Sequence, residues 1–211
     1  MATGSAFEHA VVVAREHPEL DVGVHLVLVG AEGFPATPAR LAAAIAFGRI
    51  PIYDRLACQI QKILDAGIRP THLDTHKHTH VLPAVLDAVT RLAQDFRIPW
   101  VRRPIAVRLP LLGSLLQHRL SQSGCRTTDH FAGFEMTGRY DAGGLAAMIR
   151  KLPEGVTEFM CHPGFCGEEL RAAATRLKDS RRTELDALTS PEARQALAES
   201  AVTLIRYRDL V

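Results

Sequence analysis

The chain has 211 residues, 47% of them hydrophobic, and a net charge of +2. That length suits one large domain or two small ones, and the near-balanced charge makes no electrostatic case for nucleic acid or an acidic membrane. No apolar run reaches the ~18 residues of a membrane span. Met1-Ala-Thr-Gly-Ser carries neither the charged nor the apolar region of a signal peptide, so a cytoplasmic location is expected. Cys58, Cys125, Cys161 and Cys166 form no C-x-x-C and are read as reduced thiols.

In chain order, Ala6 to Glu16 predicts a helix, with Ser5 as N-cap and Phe7, Val11 and Ala14 on one stripe. Asp21 to Val29 reads as a buried strand interrupted by His25, which is either a core histidine or a ligand. Glu32 to Pro38 is a loop, and Leu41 to Tyr53 is ambiguous. Leu56, Ile60, Ile63 and Leu64 make a helical stripe that Gly67 ends. Thr71 to His80, T-H-L-D-T-H-K-H-T-H, alternates like a strand, which would put His72, Asp74, His76, His78 and His80 on one face. Pro83 opens the next helix, which buries Val85, Leu86, Val89, Leu92 and Phe96. Ile98 to Arg103 is a short strand, Leu111 to Gln122 a helix, and Arg126 to Phe134 a strand running into a loop. Asp141 caps a helix to Leu152. Gly155 to Cys161 is a strand that delivers His162-Pro163-Gly164. Glu168 to Leu188 reads as one charged helix, Ser190-Pro191 starts the last helix, and Ala201 to Tyr207 reads as a final strand.

Strand and helix thus alternate, which calls for a parallel sheet covered by helices. A β/α barrel, open or closed, competes with a doubly wound sheet. The barrel is preferred because His76 to His80, Arg102-Arg103, Asp129-His130 and His162 fall towards C-terminal strand ends, where barrel sites sit. No G-x-G-x-x-G or Walker sequence follows a strand.

Four imidazoles and a carboxylate on one strand face are costly to bury without partners. A metal, or a chain of proton carriers, would explain them. His25 and His76 are the best metal candidates, because neutral imidazole binds zinc and related divalent ions. Such an ion would acidify its water and polarise a carbonyl. Asp74 and His78 could orient ligands or handle protons. His80 starts the turn into the next helix and reads as solvated. His162, held by a following Pro-Gly turn, suits a general acid, with Glu158 and Met160 on the same strand face. Arg103 could hold a substrate or pair with a carboxylate.

The motifs D-V-G-V-H-L-V-L, T-H-L-D-T-H-K-H-T-H and E-F-M-C-H-P-G-F resemble those of the YdjC-like carbohydrate deacetylases, which include the chitooligosaccharide and hopanoid-associated deacetylases. The similarity runs from about Ser5 to the end, including T-D-H-F-A-G-F and the closing Y-R-D-L. The resemblance implies an incomplete or distorted β/α barrel as a single deacetylase domain over 1–211. It implies a divalent metal (magnesium or zinc), an N-acetylated amino sugar or oligosaccharide as substrate, release of acetate, and a homodimer. On this resemblance His25 and His76 are the metal histidines, His162 is the residue near the substrate, and Arg103 loosely matches an Arg-x-Pro element.

The family begins with a strand ending in A-D-D-F-G, whose aspartates supply a third ligand and the base. This chain has no such sequence, and Met1 to Phe7 aligns with an internal stretch. The resemblance therefore implies that the chain lacks the first strand and that its metal site is incomplete. The strand near Val22 to Val29 would then carry a bared edge. Two further readings stay open: another β/α-barrel metallohydrolase, and a non-catalytic sugar- or metal-binding remnant.

Overall fold

The computed structural model describes residues 1–105 and 110–210. They form a mixed α/β fold that divides into two compact units, Met1–Thr127 with Arg206–Val211, and Thr128–Ile205.

The first unit holds a parallel sheet in the order β1 (Val24–Leu26), β2 (His72–Thr75), β3 (Trp100–Val101). Its helices are α1 (Phe7–Glu16), α2 (Pro38–Ala46), α3 (Ile52–Asp65), α4 (Pro83–Asp95) and α5 (Pro110–Gln122). α4 starts at Pro83, where a missing N–H costs nothing. Val85, Leu86, Val89 and Leu92 then recur at helical spacing and are fully buried, each contributing about 1.5–3 kcal/mol of burial. They join Val24, Leu26 and Leu73 of the sheet and Ile60 of α3 in one core. The register pairs His25 with Asp74 across β1 and β2. β1 lies at the sheet edge, and beyond it the main chain of Val27 meets a side chain instead of a strand. Gln59 of α3, only 5% exposed, accepts from Val27 N at 2.8 Å and donates to Val27 O at 2.9 Å.

The second unit pairs β4 (His130–Ala132) with β5 (Thr157–Phe159) in parallel. Its helices are α6 (Ala142–Ile149), α7 (Glu168–Ala172), α8 (Asp179–Leu188) and α9 (Pro191–Glu199). Tyr140, Leu145, Ala146 and Ile149 pack on Ala187, Ala193 and Ala196, whose small side chains let the helices approach closely. Gly133 has φ +92°, and a Cβ there would collide with the Met160 carbonyl oxygen, so the ends of β4 and β5 close up only around glycine.

Several expected elements differ. Ser5 does not cap α1; Ala6 precedes the helix without a side-chain cap. The expected loop holds from Glu32 to Thr37, while the ambiguous stretch resolves into α2, which Thr37 caps and Pro38 starts, and the beginning of α3. His130 begins β4, so it stands at the N-terminal end of its strand. The single helix expected over 168–188 breaks, because α7 buries none of its residues and so has no face to hold it. Residues 201–206 form no strand, and after Ala201 turns left-handed, Leu204 and Ile205 are exposed.

The chain then returns to the first unit through a short 3-10 turn, Tyr207–Asp209. Arg208 N donates to Asp21 Oδ2 at 2.9 Å, Arg206 Nη1 donates to Glu19 O at 2.9 Å, and Tyr207 stacks on His72 with ring centroids 4.1 Å apart.

Candidate functional site

The histidine-rich stretch is a strand only to Thr75. His76–Val81 is a 3-10 turn in which Lys77 and His78 have φ of 53° and 52°. The Thr75 hydroxyl forms it: Thr75 Oγ1 accepts from His80 N at 3.1 Å and shares a hydrogen bond with His80 Nδ1 at 2.6 Å. Strand alternation therefore does not put His78 and His80 on the face of His76. His80 is also not solvated but 1% exposed. Burial, with His78 adding to it, pulls its imidazole down to about 3, so it stays neutral. His80 locks the turn that leaves His76 at the strand end.

His25, Asp74, His76 and Arg102 come together at that end. His25 Nδ1 lies 2.9 Å from both Asp74 carboxylate oxygens. Arg102, the first residue after β3, forms an ion pair with Asp74 Oδ2. Burial pushes the Asp74 carboxyl up. The hydrogen bond from His25 and the Arg102 guanidinium outweigh it and hold the group well below the usual carboxylate range. An ionised carboxylate only accepts, so His25 donates from Nδ1 to Asp74 and its Nε2 points the other way. That nitrogen lies 3.2 Å from His76 Nδ1, with the rings edge to face at 79°.

With zinc–nitrogen bonds of about 2.0–2.1 Å, two nitrogens at this spacing are able to share one ion without moving. His76 then carries its proton on Nε2. Gly30, at φ +73°, leaves room on that side; a Cβ there would lie 3.8 Å from His76 Nε2 and 3.3 Å from Lys77 Nζ. Among the described residues, no group of three His, Cys, Asp or Glu is placed to hold a metal. The pair would supply two ligands to such an ion, with Asp74 orienting one of them.

Arg103, expected to meet substrate or a carboxylate, donates from Nη2 to Gln117 Oε1 at 2.5 Å. Its neighbour Arg102 makes the carboxylate contact. The sequence shows both arginines, and only the strand register, through Arg102 N donating to Leu73 O at 2.9 Å, separates them.

His162 and Glu158 belong to the second unit. Glu158 sits in mid-β5 opposite Phe131. β5 ends at Phe159, short of His162, whose main chain is held from α8. His162 N donates to Glu184 Oε2 at 2.5 Å, and Gly138 N donates to Glu184 Oε1 at 2.7 Å. In the sequence, Glu184 is one charge among many on a charged stretch.

The geometry defines a histidine–carboxylate site on a parallel-sheet α/β fold, and the comparisons assign its family. The profile of the YdjC-like protein family matches residues 1–199, and the chain belongs to that family. It is 31% identical over 226 residues to a carbohydrate deacetylase of Brevibacillus brevis, covering 100% of this chain and 86% of that protein. A carbohydrate deacetylase of Geobacillus stearothermophilus is 31% identical, covering 99% and 84%. A chitooligosaccharide deacetylase of Klebsiella pneumoniae is also 31% identical, covering 100% and 86%. These relatives are hydrolases by name. A crystal structure from Enterococcus faecalis V583, of a protein assigned to cellobiose-phosphate cleavage, superposes with a TM-score of 0.80 at 24% identity, covering 100% of this chain and 86% of that one; it shares the fold. Among the described residues no helix is long and apolar enough to cross a membrane.

Proposed function

We propose that the chain is a metal-dependent carbohydrate deacetylase that hydrolyses the N-acetyl group of an amino sugar or its oligomer, giving acetate and a free amine. One observation carries this reading beyond the family: Asp74 holds His25 at Nδ1, which turns Nε2 towards His76 Nδ1 at 3.2 Å. His25 Nε2 and His76 Nδ1 are the proposed ligands of a divalent ion, magnesium or zinc. When bound, the ion supplies Lewis-acid polarisation of the acetamide carbonyl and a water of lowered pKa. Asp74 then orients His25; with Arg102 and His25 engaging its oxygens and its charge held, it is a poor proton acceptor. Arg102 keeps that carboxylate in place. His162 is the proposed acid that protonates the leaving amine. The β/α alternation is read as an incomplete barrel, supported by the strand order β1-β2-β3 and by β4-β5, where chain neighbours pair in parallel.

The test is acetate release from N-acetylglucosamine oligomers, with and without added magnesium or zinc, for the wild type, His25→Ala and His76→Ala. The reading expects loss of at least about 10²-fold in both variants. Unchanged release in both would refute it. Sugar binding with no turnover at any metal concentration would favour a binding protein.

A further inference from the structure

We infer that Glu184 and Arg181, adjacent turns of one face of α8, are positioning residues that set the place of His162. This rests on the proposed role of His162 as the acid. Glu184 is 1% exposed, on a helix that leaves Asp179, Arg182 and Asp186 exposed and buries Ala187. An ionised carboxylate at such a depth is costly unless its oxygens are satisfied. Here each oxygen takes one main-chain N–H, from Gly138 at 2.7 Å and from His162 at 2.5 Å. Three residues earlier, Arg181 closes the other side. Its Nη1 donates to His162 O at 3.5 Å, and its own carbonyl accepts from Gly164 N at 3.1 Å.

His162 is thus gripped at both its N–H and its C=O, and the turn that follows is gripped at Gly164. Burial, with the Glu184 charge beside it, pushes the Tyr140 hydroxyl up, so that neighbour stays neutral and adds no competing charge. No metal or substrate is needed for this clamp; it is built into the second unit. A catalytic group misplaced by about 1 Å loses about 10²-fold in rate. A glutamine at 184 offers one acceptor oxygen and one NH2, so one of the two main-chain N–H groups meets a donor.

The experiment uses the full chain and compares wild type, Glu184→Gln and Arg181→Met, with kcat and KM for acetate release normalised to folded protein. Glu184→Gln is expected to lower kcat about 10- to 100-fold while KM stays within about twofold. Arg181→Met, with the weaker contact, moves kcat the same way by less. An unchanged kcat in folded Glu184→Gln overturns the inference, as does a loss that only tracks the folded fraction. If Glu184→Gln does not fold, an unchanged kcat in Arg181→Met overturns it. Should the wild type release no acetate, the deacetylase reading fails separately, and amide exchange decides the clamp. Faster exchange of the His162 N–H in either variant then supports it, and unaltered protection in both overturns it.

Discussion

Replacing Asp74 by Asn removes a charge and little else in shape. Asp74 is 7% exposed, and its partner Arg102 has a side chain 14% exposed. Asn takes the carboxylate charge away from that guanidinium, and its NH2 faces one of two donors, His25 Nδ1 or Arg102. Breaking such a pair from one side costs about 3–5 kcal/mol. For a chain of this size each kcal/mol moves Tm by about 2–4 °C, so a fall of about 6–20 °C follows. Thermal scans and urea curves on Asp74→Asn, Arg102→Met and the double variant measure it. The double variant removes both charges of the pair and recovers about half of the loss or more. The pH dependence has a definite sign. The folded-state pKa of Asp74 lies below its unfolded value near 3.8. Its contribution is complete above that value and fades as pH falls towards the folded one. The variants therefore lack part of the acid limb below about pH 4. A loss under about 1 kcal/mol in Asp74→Asn, or no recovery in the double variant, would refute the reasoning.

Other perturbations read other parts of the molecule. Gln59→Ala orphans the buried N–H and C=O of Val27, at about 1–3 kcal/mol each, and a urea midpoint within error of wild type would contradict that. His80 has a folded pKa near 3 against 6.5, so its contribution is complete above about pH 6.5 and is lost as pH falls towards 3. The slope reaches about 1.4 kcal/mol per pH unit. Urea midpoints at pH 7, 6, 5 and 4 should therefore fall less steeply in His80→Gln than in wild type, and parallel curves would dismiss the idea. Gly133→Ala forces apart the ends of β4 and β5, with a cost of several kcal/mol from strain at positive φ plus the clash. Normal expression and an unshifted Tm would show that the backbone there yields easily.

Local chemistry made much of this fold legible. Pro83, Ser190-Pro191 and Asp141 each announce a helix start through a missing N–H or a capping oxygen, and each start was found where expected. The pairing of His25 with the histidine-rich stretch was legible too, because both lie in strands of the right composition. The end of that second strand was not. Alternating Thr and His carries period two to His80, while the turn depends on Thr75 Oγ1 reaching back to His80, a contact with no residue pattern of its own. Arg102 and Arg103 are adjacent and chemically alike, so the choice between them waited on strand register. Glu184 was hidden for a related reason. Its partners are main-chain N–H groups 46 and 22 residues away in sequence, and any residue supplies those.

The return of the chain to Asp21 after residue 205 has a consequence for biosynthesis. The second unit is inserted within the first, so the first remains open at Glu19 and Asp21 until Arg206 and Arg208 emerge from the ribosome. At about 5–20 residues per second, the interval from Thr127 to Arg208 lasts about 4–16 s. An insert of that length, while unstructured, adds its loop-closure entropy to the cost of those last contacts. The last contacts of the first unit therefore form only after the whole inserted unit has been synthesised.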